Sequence, residues 1–225
     1  MHRPMKRCLV IVAMLVPPCA ANSADETSAP APAPAAVPAG VYTLDKAHAS
    51  LVFHVDHLGF SHYTAQFKSF DATLQFDPAQ LGASGVEVSI DPRSLELPTP
   101  PAGFVDSLLG KDWLNAAAFP TMTFKSTRVQ PTGANTVHIT GDMTLHGVTH
   151  PVALDAVYNG GYPGHPMDPH ARIGFSAHGT LKRSDFGIAY GIPAPGTTMG
   201  VGDAVDFDIE AEFSGPPFHP SQAAE

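Results

Sequence analysis

The sequence predicts an all-β domain: an eight-stranded antiparallel barrel with one or two short helices. Three observations lead there. Apolar and polar residues alternate with period two in eight separate segments, as a strand with one dry and one wet face requires. Several of those segments exceed the usual length of about five or six residues. Most are joined by short turns, which suits a sheet closed on itself without exposed edges. The alternation alone also fits a sandwich.

The clearest strand is the last. Val205, Phe207, Ile209, Ala211 and Phe213 fall on one face, and Asp206, Asp208, Glu210 and Glu212 on the other. In the first, Leu51, Phe53 and Val55 alternate with Val52, His54 and Asp56. In the second, Phe70, Ala72, Leu74 and Phe76 oppose Asp71, Thr73 and Gln75. Phe67 is out of phase with Phe70, so a bulge is expected between them. The third strand carries Val86, Val88 and Ile90, and the fourth Met122, Phe124 and Ser126. The fifth carries Val137, Ile139, Gly141, Met143 and Leu145, and the sixth Val152, Leu154 and Ala156. The seventh carries Ile173, Phe175, Ala177 and Leu181.

One segment departs from this period. Between Ala102 and Ala118 the apolar Phe104, Val105, Leu108, Leu109, Trp113 and Leu114 recur at three and four. That spacing predicts one or two short helices broken near Gly110, with Asp112 as an N-cap of the second. They would lie over the barrel or close one end. Gly187 to Gly202 reads as a long Gly- and Pro-rich loop between the last two strands.

The ends are set apart by composition. Arg3, Lys6 and Arg7 precede the apolar run from Cys8 to Val16, then Pro17, Pro18 and small residues. This is the pattern of a secretory signal peptide over 1–21, with cleavage at 24 as the alternative. The run is too short to span a bilayer, which needs about 20 residues. Pro17 and Pro18 fit poorly with acylation at Cys19. The expected location is therefore periplasmic, without stable membrane insertion after cleavage. Residues 22–40 form an Ala/Pro-rich linker, 41–214 a single domain, and 215–225 an unstructured tail.

Both cysteines, Cys8 and Cys19, lie in the leader. The exported chain then has no disulfide and no thiol chemistry. Three of the 12 Lys and Arg leave with the leader, so nine face 21 Asp and Glu and the formal charge is −12. Such a surface repels phosphate backbones, which argues against nucleic acid as a partner.

Several phrases stand out in order along the chain. They are Tyr-Thr-Leu-Asp-Lys-Ala-His-Ala-Ser at 42–50, continuing through 52–55 and 57–61; Phe67, Phe70 and Phe-Asp-Pro at 76–78; and Phe-Pro-Thr-Met-Thr-Phe-Lys-Ser-Thr at 119–127. Gly-Asp-Met-Thr-Leu-His-Gly-Val-Thr at 141–149, Gly-Phe-Ser-Ala at 174–177 and Lys-Arg-Ser-Asp-Phe-Gly at 182–187 follow in order. Together these phrases resemble the YceI-like family, and the resemblance implies a lipocalin-like eight-stranded barrel in the bacterial periplasm. It also implies an elongated apolar cavity able to hold a polyisoprenoid chain, a quinone tail or a polyprenyl lipid. One departure stands out. The family's Arg-Asp-x-His-Leu phrase is absent from 98–109, so a head group held there would differ.

An uncharged isoprenoid binds through apolar area leaving water, and large adaptable side chains suit it. The candidates for contact with such a ligand are Phe53, Phe60, Phe70, Phe76, Phe104, Leu108, Trp113, Phe124, Met143, Phe175, Phe186 and Phe207. For any one of them core filling is the simpler reading; the set carries the inference. Phe186, Tyr190 and Met199, in or beside the long loop, either line an entrance or anchor that loop.

Rival chemistry finds less support. His54 and His57 point to opposite faces of a strand and do not share an ion without distortion. His146 and His150 flank a turn rather than a helix, and His165 and His170 lie in a loop. No metal site is expected. Gly-Phe-Ser-Ala-His at 174–178 misses the nucleophile-elbow pattern, and no catalytic residue is expected. The leading expectation is a carrier or store of an isoprenoid lipid, without another cofactor. The alternatives are a metal-assisted enzyme using loop histidines, and a stress-response structural protein with a packed core. The sequence leaves the oligomeric state open, a homodimer included.

Overall fold

The computed structural model describes residues 37–164 and 166–217. The leader, most of the linker, His165 and the last eight residues of the expected tail lie outside them.

Among the described residues ten strands and one short α-helix follow in order: β1 (Gly40–His57), β2 (Ser61–Phe67), β3 (Phe70–Phe76), β4 (Gly85–Ile90), β5 (Leu95–Glu96), α1 (Phe104–Leu108), β6 (Met122–Pro131), β7 (Thr136–Leu145), β8 (Val148–Tyr162), β9 (His170–Lys182) and β10 (Val201–Pro217). Each of the eight segments with period-two alternation forms a barrel strand. The order β10-β9-β8-β7-β6-β4-β3-β1 closes through β1–β10 pairing, and every ladder is antiparallel. This is an all-β fold with a closed eight-stranded barrel, and closure leaves that ring no free edge.

Phe67 and Phe70 are separated by more than a bulge. β2 pairs with the second half of β1 and β3 with its start. The chain breaks at Lys68 and Ser69 because β2 turns outward to pair with β5, Phe67 opposite Leu95. β1 compensates with extra residues between Leu44 and Ala49, where its register against β10 shifts. The shift places Asp45 beside Arg172, with which it pairs, and 3.0 Å from His48 Nδ1.

The turn between β7 and β8 is His146-Gly147, both with positive φ (54° and 75°). That is the backbone hand a two-residue hairpin prefers. Gly147 also admits the Phe119 ring against its Cα, where a Cβ would collide.

Of the one or two expected helices one forms, and no second follows it in residues 109–121. After α1 the chain proceeds in turns, Trp113 N donating to Gly110 O and Leu114 N to Leu108 O, so Asp112 caps nothing. Asn115, at φ 45°, interrupts any further helical turn. α1 itself starts at Gly103 without a side-chain cap. A five-residue helix has too little propensity to stand alone; Leu108 and the nearby Trp113 and Leu114 are held by the barrel mouth instead. Two boundaries also move. β10 runs to Pro217, past the expected start of the tail. Val37 is buried and Tyr42 Oη donates to Pro38 O at 2.7 Å, so the end of the linker belongs to the fold.

One end of the barrel carries an aromatic floor. Tyr42 meets Phe76 edge-on at 5.9 Å, Phe76 stacks on Tyr158 at 6.1 Å, and Phe175 contacts Tyr158 at 5.5 Å and Phe213 at 6.1 Å. Such ring pairs add to the area they bury. Val37, Ala171 and Ile173 complete this cluster.

Candidate functional site

The inward faces of the strands do not meet in the middle. They enclose a cavity of about 560 Å³, within the usual range for small-molecule sites, roughly 300–1,000 Å³. The wall extends from His57, Phe104 and Val201 at one end to Leu81, Val129 and Asn135 at the other. Inward residues such as Phe53, Phe67, Val205, Phe207 and Ile209 are only half-buried, because they face this space rather than another side chain. Alanines widen it: Ala65, Ala72, Ala156, Ala177 and Ala211 are all on the wall. Ala156 and Ala177 are paired neighbours, with Ile209 next in the row.

Ten of the expected contact residues are on the wall: Phe53, Phe70, Phe76, Phe104, Leu108, Trp113, Phe124, Met143, Phe175 and Phe207. Phe60 is not; it is 81% exposed at the tip of the β1–β2 turn. Phe186 is not either; it is fully buried beside the wall, its ring 5.7 Å from that of His150, so it anchors the loop. Phe67, stacked on Phe53 at 5.3 Å, belongs to the wall and was missed, because its phase was read from β3. Tyr63, Ala65, Leu95 and Leu97 were missed with it; the short β2–β5 pair gives too little alternation to read.

Polar groups on the wall are few: His57, Tyr63, Ser84, Asn135, Tyr158 and Arg183. Arg183 is the one charged side chain among them and is 5% exposed. Its guanidinium donates to four backbone carbonyls, Gly202 (2.8 Å), Ile188 (3.0 Å), Tyr190 (2.8 Å) and Val201 (2.7 Å), and lies 5.1 Å from the Trp113 ring centre. Burial lowers its pKa, opposed by the charge of Asp203. Asp203 in turn accepts from Ser184 N and Oγ, at 2.9 and 2.8 Å. The Lys-Arg-Ser-Asp-Phe-Gly phrase is thus a clamp that folds the long loop back onto the mouth, and Gly187 supplies its positive φ of 76°. At the floor, burial raises the Tyr158 hydroxyl, and Tyr158 Oη has no partner among the described residues.

Among the described residues the histidines do not gather. His54 faces outward, bonded to Thr64 Oγ1 at 2.9 Å and Asp208 at 3.1 Å, whereas His57 is on the cavity wall. His146 Nδ1 is engaged by Phe186 O at 3.2 Å. Asp45, His48 and Glu212 come within 4.8 Å of one another, but Asp45 is already paired with Arg172.

The YceI-like domain model matches residues 42–213. The chain belongs to the YceI-like family. Among its relatives, a UPF0312 protein of Vibrio cholerae is 34% identical over 215 residues, covering 92% of this chain and 98% of the relative. A UPF0312 protein of Pseudomonas syringae pv. syringae is 38% identical over 175 residues, covering 76% and 84%. Among solved structures, Burkholderia cenocepacia BcnA superposes with a TM-score of 0.62 at 25% identity, covering 75% of this chain and 98% of BcnA. The Campylobacter jejuni YceI protein gives 0.60 at 29%, covering 71% and 89%. A polyisoprenoid-binding domain from Saccharophagus degradans shares the fold, with a TM-score of 0.57 at 14% identity over 78% of this chain and 98% of that domain. Among the described residues no helix is long and apolar enough to cross a membrane.

Proposed function

We propose that this YceI-like protein is exported to the periplasm and carries or stores one long apolar isoprenoid lipid, a quinone tail or a polyprenyl chain, inside its barrel, without performing catalysis. The observation that carries the reading is the cavity: elongated, walled by Phe, Leu, Val, Ile and Ala, and provided with a single cation. Each 100 Å² of chain that leaves water for such a wall contributes about 2.5 kcal/mol before ordering costs. A few hundred Å² therefore suffices for retention, and no polar contact is needed.

The wall also selects against charged ligands. A fatty-acid carboxylate would need a partner on burial, and Arg183 already directs four N–H groups to loop carbonyls. A packed-core structural role is at odds with a hollow of this size. The Saccharophagus degradans domain is described as polyisoprenoid-binding; its distant likeness supports the fold, so the weight of the proposal rests on the wall itself.

Organic extraction of the purified protein followed by mass spectrometry tests the reading. A prenyl lipid near one per chain is expected. Protein that is free of lipid and fails to bind added prenyl lipid overturns it.

A further inference from the structure

We infer that the mouth of the barrel docks on the surface of a lipid bilayer, so that cargo passes between membrane and cavity without crossing water. The inference rests on the carrier reading and names the partner of that same site.

Three stretches stand at the mouth, beside the 106–114 segment that carries Asp106, Lys111 and Asp112. Residues 57–67 form the end of β1, its turn and β2; residues 97–105 lead into α1; residues 187–202 are the clamped loop. None of them contains Asp, Glu, Lys or Arg, in a chain that is 15% charged. They are held together. Leu58 N donates to Gly200 O at 2.9 Å and Val201 N to Gly191 O at 2.8 Å. Gly59 lies against Thr198, where a Cβ would come within 2.9 Å, and Tyr190 contacts Trp113 edge-on at 5.6 Å.

On these three uncharged stretches stand four exposed large apolar side chains: Phe60 (81%), Met199 (69%), Tyr190 (59%) and Phe104 (42%). Isolated exposed apolar residues are ordinary; a set of them around one opening marks an interaction surface. Phe104, His57 and Val201 are also cavity wall, so the collar is continuous with the space that would hold the lipid. An apolar rim with aromatic tips fits the headgroup–chain boundary of a bilayer.

Charge narrows the partner further. The acids of β10, Asp206, Asp208, Glu210 and Glu212, lie along the outer wall behind the mouth. They repel an anionic surface, whereas a zwitterionic one faces the uncharged stretches without net repulsion. A polyprenyl lipid itself resides in bilayers, and a bare apolar mouth lets it leave one without being hydrated.

Flotation of the purified protein with phosphatidylcholine vesicles tests this, comparing wild type with the double variant Phe60→Ser, Met199→Ser. Neither residue is on the cavity wall. Wild type is expected to float with the vesicles, with little loss on raising salt, and the variant to lose vesicle partitioning by at least about tenfold. Prenyl-lipid content by extraction should be equal in the two. If the double variant does not fold, either single substitution makes the same comparison. Wild type that stays out of the vesicle fraction, or a folded variant that floats equally, overturns the inference. So does a wild-type dimer that the substitutions dissociate, which would assign the collar to a second copy. Protein that floats through Phe60 and Met199 yet neither contains nor binds prenyl lipid would leave the docking surface standing and remove the cargo.

Discussion

Replacing Ala177 with phenylalanine puts a ring into the hollow and separates empty space from slack in a packed core. Ala177 faces inward on β9 between Ala156 on β8 and Ile209 on β10 and is on the cavity wall, so the new ring is directed into the hollow. In a filled core the extra atoms force strain costing about 1–3 kcal/mol. In a hollow they gain burial instead, up to about 1.5–3 kcal/mol for a whole Phe side chain before its lost rotamer freedom. The two pictures therefore differ in sign. Stability of the lipid-free protein should be unchanged or raised by about 1 kcal/mol, an increase in thermal midpoint of ~2–4 °C for a domain of this size. Prenyl-lipid affinity should fall by at least about tenfold, since roughly 55 Å² of lost apolar contact already amounts to ~1.4 kcal/mol. Calorimetric melting of delipidated protein, with titration of a labelled prenyl lipid, measures both. A midpoint lowered by several degrees with unchanged affinity would refute the reasoning.

Three further predictions concern the parts that hold the site. Arg183→Met keeps the apolar stem but strands four carbonyls; urea denaturation should show a loss of about 3 kcal/mol or more, and limited proteolysis should begin to cut within 187–202. Asp45 is held at a pKa of about 2, against 3.8 ordinarily, by its bond to Arg172, with His48 and the Ala47 amide adding to it. Its folded pKa is depressed, so the stability it contributes is complete above about 3.8 and fades as pH falls toward 2; Asp45→Asn should flatten that part of the stability–pH curve, and an unchanged curve would exclude the pair. Trp113 is the sole tryptophan and is on the wall, so adding prenyl lipid should shift its emission, and Trp113→Phe should abolish the signal.

Strand positions were legible because each strand sorts its residues into a dry face and a wet one, and that signal needs no partner. β10 is the extreme case, with four acids outside and apolar residues inside. The short elements were not legible. β5 is two residues long, and β2 is recognisable only once its pairing with β5 is known. The helical period at 104–114 was real, yet it reports a run of side chains drawn to the mouth rather than a helix that stands by itself. Phe60 and Phe186 show the limit for individual residues. Both are phenylalanines beside the mouth, and one is exposed while the other is fully buried; hydrophobicity does not distinguish the two.

Whether the barrel is hollow was hidden for a different reason. Alternation identifies which residues face inward, but the volume left between them depends on which small residues stand side by side, and that is a matter of register. Ala156 and Ala177 are 21 positions apart in sequence and adjacent across the ladder; moved by two residues one way, Ala156 would face Phe175 and Ala177 would face Leu154. The alanines could therefore be read as gaps only after strand pairing was fixed. The same holds for Arg183. From sequence it is a charge at the end of a strand, to be placed in water by default. Its accepting carbonyls lie 5 to 19 residues downstream, and their convergence is what makes burial of the cation tolerable. The aromatic floor allows this economy elsewhere. Because Tyr42, Phe76, Tyr158, Phe175 and Phe213 form a packed cluster at one end, the middle of the barrel need not be filled for the fold to hold, and the hollow persists.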